Sequence, residues 1–128
     1  MTMLIDSHAL LWAVDQPARL SEAAEVAIRD RSQTLFVSAA TIWEIAIKVG
    51  LKKLALSLPY ASWITKALSD LQATLLPITV EYADAQASLP YYHGDPFDRM
   101  LIAQASVERF RIVSHDGSFD QYGVTRIW

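Results

Sequence analysis

The chain contains no cysteine. This excludes disulfide staples, a thiolate nucleophile and cysteine-ligated zinc, and it fits a reducing compartment. Glycine and proline are sparse, four and five in 128 residues, and scattered as punctuation, so no linker or low-complexity block divides the chain. No basic tract occurs, and 14 acids against 11 Lys plus Arg give a net charge of −3, which on its face argues against a nucleic-acid ligand. No run approaches the roughly 18–20 apolar residues of a membrane span. The N-terminal stretch has no basic region and carries Asp6 and His8 among its apolar residues, so no secretory signal is expected. A cytoplasmic protein without membrane contact is the expectation.

What is present suffices for a packed core. Apolar residues reach 52% and charged residues 20%, which excludes disorder, and the length suits one domain spanning 1–128. Met3-Leu4-Ile5, Leu35-Phe36-Val37, Thr74-Leu75-Leu76 and Arg111–Ser114 read as short buried strands, with a short fifth at Val124–Ile127. Helices are predicted through His8–Val14, from an N-cap at Ser21 to about Arg31, and from about Ala39 to Val49 with Gly50 as terminator. Further helices follow Pro59 to Leu71, occupy 80–88, and run from Pro96 to about Glu108. Strands separated by helices imply right-handed crossovers. The expected fold is a three-layer α/β/α domain with a mainly parallel sheet of four to five strands.

Ligands of open parallel sheets gather at the carboxyl ends of the strands. Asp6 follows the first strand and Asp116 the fourth, so two distant acids would reach one edge. Each also has a local explanation, Asp6 as a helix cap and Asp116-Gly117 as a turn. In His93-Gly94-Asp95-Pro96-Phe97-Asp98, capping accounts well for Asp95 but only partly for Asp98, which opens a nearly apolar helix. Glu44 is the only ionisable residue in Leu35–Ile47. A buried carboxylate needs a cation, a proton or a partner. Lys48, at i+4, offers an ion pair worth about 0.3–0.5 kcal/mol if exposed; a metal is the stronger expectation. Four carboxylates without cysteine suit Mg²⁺, with Mn²⁺ as a substitute. His8, His93 and His115 lie beside the acids but lack zinc-site spacing, and are read as pocket-lining or locally hydrogen-bonded.

Four stretches in order carry a family resemblance: Leu4–Trp12, Val37–Ile45, His93–Ala105 and Ile112–Phe119. Over nearly its whole length the chain resembles PIN-domain ribonucleases of the VapC toxin type. The resemblance implies metal-dependent hydrolysis of RNA, with Asp6, Glu44, Asp98 and Asp116 as the catalytic and metal-holding acids. It leaves open whether Glu44 ligates metal or orients the attacking water. It further implies a VapB-type antitoxin and a homodimer; Trp43, Ile47 and Leu51 are candidates for an exposed face, or equally for core. Ser7 and Ser114 keep hydroxyls where family members often have Thr. Ser7, Ser38, Asp95, Arg99 and Ser114 are expected to support the acids or touch substrate. Arg99, Lys48, Lys52 and Lys53 are candidate phosphate contacts, and Tyr91 and Tyr92 candidate base-stacking rings.

Other readings remain. An aspartyl-phosphate enzyme would want a second acid where His8 stands, and a receiver domain would want paired acids there. A non-catalytic binding module of the same fold and a DNA-directed nuclease are the alternatives; intact acids argue against the first and the short chain against the second.

Overall fold

The computed structural model describes residues 2–128. Along the chain run β1 (Thr2–Ile5), α1 (Ser7–Asp15), α2 (Glu22–Arg29), β2 (Thr34–Ser38), α3 (Ala39–Gly50) and α4 (Tyr60–Asp70). Then come β3 (Thr74–Leu76), α5 (Val80–Ala87), α6 (Pro96–Glu108), β4 (Arg111–Val113) and β5 (Arg126–Ile127), with 3-10 turns at Pro17–Arg19 and Gly117–Tyr122. The strand order is β3-β2-β1-β4-β5, and every pairing is parallel.

That order dictates the layers. The chain steps outward from β1 to β2 to β3, then returns to the other side of β1 to lay down β4. Right-handed crossovers put helices of opposite steps on opposite faces. Accordingly α1–α4 pack on one face, around Met3, Ile5, Leu35, Val37, Ile45 and Trp63. The other face carries α5 and α6, around Leu4, Leu101, Ile102, Ile112 and Phe119. Alternate residues of each strand serve alternate layers, as the two-residue period of a strand requires. The expected three-layer fold is borne out, with five strands of the expected four to five. Among the described residues no helix is long and apolar enough to cross a membrane.

Side-chain caps begin nearly every helix. Asp6, Ser21, Ser38, Thr79 and Asp95 each accept a backbone N–H of the following turn; α4, entered from Pro59, has no such cap. Helix ends fall within about two residues of expectation, but what terminates them differs. Gly50 lies within α3, and the reversal comes two residues later at Lys52, whose φ is 58°. Gln72 (φ 49°) and Arg109 (φ 59°) turn the chain after α4 and α6. At all three ends the next amide reaches back to a carbonyl, Lys53 to Lys48, Ala73 to Leu68 and Phe110 to Ala105, each at 2.9 Å. With so few glycines, ordinary side chains take the left-handed position that glycine usually fills.

Candidate active site

The sheet reverses its strand order between β1 and β4, where a cleft forms at the carboxyl edge. Ile5 and Val113 are paired across these strands, so the next residues, Asp6 and Ser114, emerge side by side. Ser114 Oγ donates to Asp6 Oδ2 at 2.6 Å, while Asp6 Oδ1 accepts the Ala9 amide at 2.9 Å. The cap reading of Asp6 is therefore correct, yet it uses one oxygen of a buried carboxylate. The Asp116 amide donates to Ser114 Oγ at 3.0 Å, which ties the loop after β4 to the same hydroxyl. Asp116 in turn caps the 3-10 turn through Ser118.

Two helices bring the remaining acids. Asp95 caps α6 by accepting the amides of Phe97 and Asp98. This fixes the first turn from which Asp98 projects, and His93 Nε2 lies 2.8 Å from Asp98 Oδ2. The same nitrogen is 3.9 Å from Asp116 Oδ2. Ser38 caps α3 at the end of β2, and Glu44 follows, buried, inside that helix. Lys48 Nζ lies 2.7 Å from Glu44 Oε2, but Oε1 is buried with no partner. Ser7 is buried next to Asp6.

The fields of these acids overlap. Burial, and then the charge of Glu44, push Asp6 above its ordinary value of 3.8, against the hydrogen bonds from Ser114 and Ala9 and the field of His8. Burial, Asp95 and Glu44 raise Asp98 to about 6 despite His93. Asp116 behaves oppositely: burial works to raise it, but the Ser118 amide, His93 and Arg126 outweigh this and hold it below 3.8. Glu44 acts on both Asp6 and Asp98, and Asp6 and Asp116 line one cleft of about 480 Å³. The four acids thus converge on one edge.

The donor set fits a divalent cation. His93, Asp98 and Asp116 each offer an atom within 4.8 Å of the others. Asp6, whose carboxylate burial and the charge of Glu44 disfavour as an anion, and the unpartnered Glu44 oxygen are not part of that 4.8 Å group. Hard oxygen donors with one imidazole suit Mg²⁺ or Mn²⁺.

Several sequence-based assignments change. The Glu44–Lys48 ion pair does form, so a cation partner accounts for one oxygen of Glu44 and not the other. Lys48 is thereby engaged. Arg99 is 1% exposed and cannot meet a phosphate; its guanidinium donates to the carbonyls of Gln86, Leu89 and Pro90. It supports the site by holding the loop that carries His93. Tyr91 lies over that guanidinium at 3.8 Å and Tyr92 packs against Tyr122, although both rings remain largely exposed. Trp43 and Leu51 are exposed, at 62% and 60%, and so belong to a surface rather than the core. His93 was undervalued by sequence reasoning. Its position five residues before Asp98 was the available signal, since a loop preceding a capped helix folds back over the first turn.

A model of the PIN domain matches residues 3–124. The chain belongs to the PIN-domain family. Within it the resemblance is to the VapC type: the chain is 33% identical to "Ribonuclease VapC22" of Mycobacterium tuberculosis over 116 residues, 90% of this chain and 87% of that protein. Among solved structures it resembles VapBC2 from Rickettsia felis, bound to a DNA fragment from its promoter, at a TM-score of 0.72 and 12% identity, covering 98% and 97% of the two chains. FitAcB from Neisseria gonorrhoeae aligns at 0.61 and 20%, covering 97% and 95%. VapBC-1 from nontypeable Haemophilus influenzae aligns at 0.64 and 12%, covering 98% and 96%. At these identities the structural likeness speaks for the fold of this PIN chain.

Proposed function

We propose that this PIN domain, taken as one unit over 1–128, is the toxin of a toxin–antitoxin pair and a divalent-metal-dependent endoribonuclease acting in the cytoplasm. The observation that carries the reading is the group of His93, Asp98 and Asp116 within 4.8 Å of one another, with Asp6 in the cleft that Asp116 also lines and a buried, unpartnered oxygen on Glu44. The 33% identity to a protein named a ribonuclease supports the substrate class.

Asp6, Asp98 and Asp116 would hold Mg²⁺, or Mn²⁺, with His93 within reach of the same position. When bound, the metal supplies an acidified water and neutralises charge on the scissile phosphate. The chain's own groups prepare that event. Ser114 and the Ala9 amide lock Asp6 in one rotamer, His93 and the α6 cap aim Asp98, and Ser118 fixes Asp116. Glu44 either joins the ligands or orients the attacking water through Oε1.

A VapB-type antitoxin is the proposed partner, as in the VapBC complexes of like fold. A homodimer through Trp43 and Leu51, with half-buried Ile47 between them, is the proposed assembly. Sedimentation at micromolar concentration is expected to give a dimer, and a monomer would end that part of the proposal.

The deciding experiment is induced expression of wild type and Asp98→Asn with sequencing of new RNA 5′ ends. Wild type should arrest growth and create discrete ends, and the variant should do neither. Equal cleavage by both would remove Asp98 from the machinery. A folded wild type that cleaves no RNA, with or without Mg²⁺, would leave only a binding module.

A further inference from the structure

The acids account for bond cleavage but not for how an RNA strand is held, in a chain whose 14 acids outnumber its 11 Lys and Arg. The cleft containing Asp6 and Asp116 is also lined by His8, Trp12, Arg19 and His115. Trp12, half-buried on α1, is one of its lining residues. His8, His115 and Trp128 surround its ring at centroid distances of 5.8, 5.9 and 5.8 Å. The Arg19 guanidinium lies over the indole at 4.4 Å. Trp12 and Arg19 also border a second cleft of about 360 Å³ that leads to Lys48 and Lys53. One aromatic wall therefore borders both the cleft that holds Asp6 and Asp116 and the cleft that holds Lys48 and Lys53.

From this juxtaposition we infer a nucleotide subsite: a base of single-stranded RNA stacks on Trp12, and the adjoining phosphate lies on Arg19. The inference rests on the nuclease reading and extends it to substrate positioning.

The chemistry follows from the groups present. A planar cation over an indole occupies the position that a planar base takes when it stacks, so Arg19 marks the place and can move to the phosphate. Arg19 has little to hold it elsewhere, since its one side-chain hydrogen bond is a 3.3 Å contact to exposed Gln16. The indole is braced by Trp128 and His115, inclined to it by 58° and 67°, which pre-orients it at small entropic cost. A cleft of about 480 Å³ lies within the roughly 300–1,000 Å³ range of small-ligand sites. Stacking on a ring requires an unpaired base, so the subsite selects single-stranded over duplex RNA.

The test is fluorescence anisotropy of a short fluorescein-labelled, single-stranded oligoribonucleotide of mixed sequence, measured in EDTA so that binding is read without cleavage. Trp12→Ala is expected to weaken binding by about 5- to 100-fold, the range for loss of one stacked base, and Trp12→Phe to restore most of it. Arg19→Ala should weaken binding and lower the salt dependence by about one phosphate contact. Arg19 is exposed, so this variant keeps its fold even if Trp12→Ala does not. Wild-type affinity in folded Trp12→Ala, no rescue by Phe, or an unchanged salt slope in Arg19→Ala would each overturn the subsite. So would a Trp12→Ala protein that loses an antitoxin peptide but keeps RNA. Asp98→Asn separates the two proposals: in EDTA it should still bind RNA and still lose affinity on adding Trp12→Ala, and it should fail to cleave when Mg²⁺ is added. If it cleaves, the active-site assignment fails while the Trp12 result still stands on its own reading.

Discussion

Asp98 shows what a functional position costs a single residue. Its carboxyl is pulled from 3.8 up to about 6 by burial and by Asp95 and Glu44. Between those two values the folded chain keeps a proton that the unfolded chain has released. Stability therefore falls as pH rises across the window and stays lower above it. The difference corresponds to a penalty on the order of 2–3 kcal/mol at pH 7. Asp98→Asn removes the charge and keeps the shape, so in EDTA it should be more stable than wild type at pH 7 by about that amount. The advantage should vanish below about pH 4, where Asp98 is protonated in both states. Urea denaturation across this range is the check; equal stability at pH 7 would mean the acids do not share a field. Added Mg²⁺ should narrow or reverse the order, because a ligand stabilises only the form that binds it. The same residue that destabilises the empty fold is the one whose loss should abolish cleavage.

At the scale of elements, α6 shows why adjacency in sequence misleads. Asp98 and Arg99 are neighbours, but successive helical residues point about 100° apart. Asp98 faces His93, while Arg99 turns inward to the carbonyls at the end of α5 and the loop beyond. Arg99→Lys keeps the charge but loses the fork that serves several carbonyls at once. The variant should lose about 1–3 kcal/mol of stability, read by thermal unfolding. It should also cleave more slowly because the loop bearing His93 loosens. Unaltered cleavage in a destabilised variant would confine Arg99 to folding. Helix ends offer a gain instead. Arg109 holds a left-handed φ of 59° and is exposed. Glycine there relieves the strain, and Arg109→Gly should stabilise by about 0.5–1 kcal/mol in denaturant titration. The positions of these ends were legible but their left-handed residues were not, because a left-handed lysine, glutamine or arginine leaves no compositional mark. Starts were legible, since Asp6, Ser21, Ser38 and Asp95 are cap residues by chemistry as well as position. The strands were legible because both faces of a parallel sheet are covered and the runs are apolar throughout. His93 was not, because its importance lies in a loop fold that no periodicity encodes.

For the whole molecule, the charge distribution bounds how RNA can be held. The net charge is −3, and setting aside the four site acids leaves +1. Of the 11 Lys and Arg, most are engaged among the described residues. Arg29, Lys48, Lys66 and Arg126 pair with acids, Arg31 and Arg99 donate to backbone carbonyls, and Arg111 donates to Gln33. Arg109 ends α6 just before β4 begins, at the opposite edge of the sheet from Asp116. This leaves Arg19, Lys52 and Lys53 to meet phosphates near the acids. Each phosphate contact to a single strand contributes about −0.7 to the slope of log affinity against log salt, so three give roughly −2. A shallow slope of that size is expected in EDTA, with affinity rising when Mg²⁺ occupies the acids and offsets their repulsion. A slope steeper than about −4 would require more cations than this surface offers, and would place the RNA on a face away from the cleft or on an assembly of several chains. With so little generic attraction, target choice falls to unpaired bases and to the shape of the RNA around them. On the proposed reading the chain would favour single strands: duplex RNA presents its phosphates to few free cations and keeps its bases from a stacking ring.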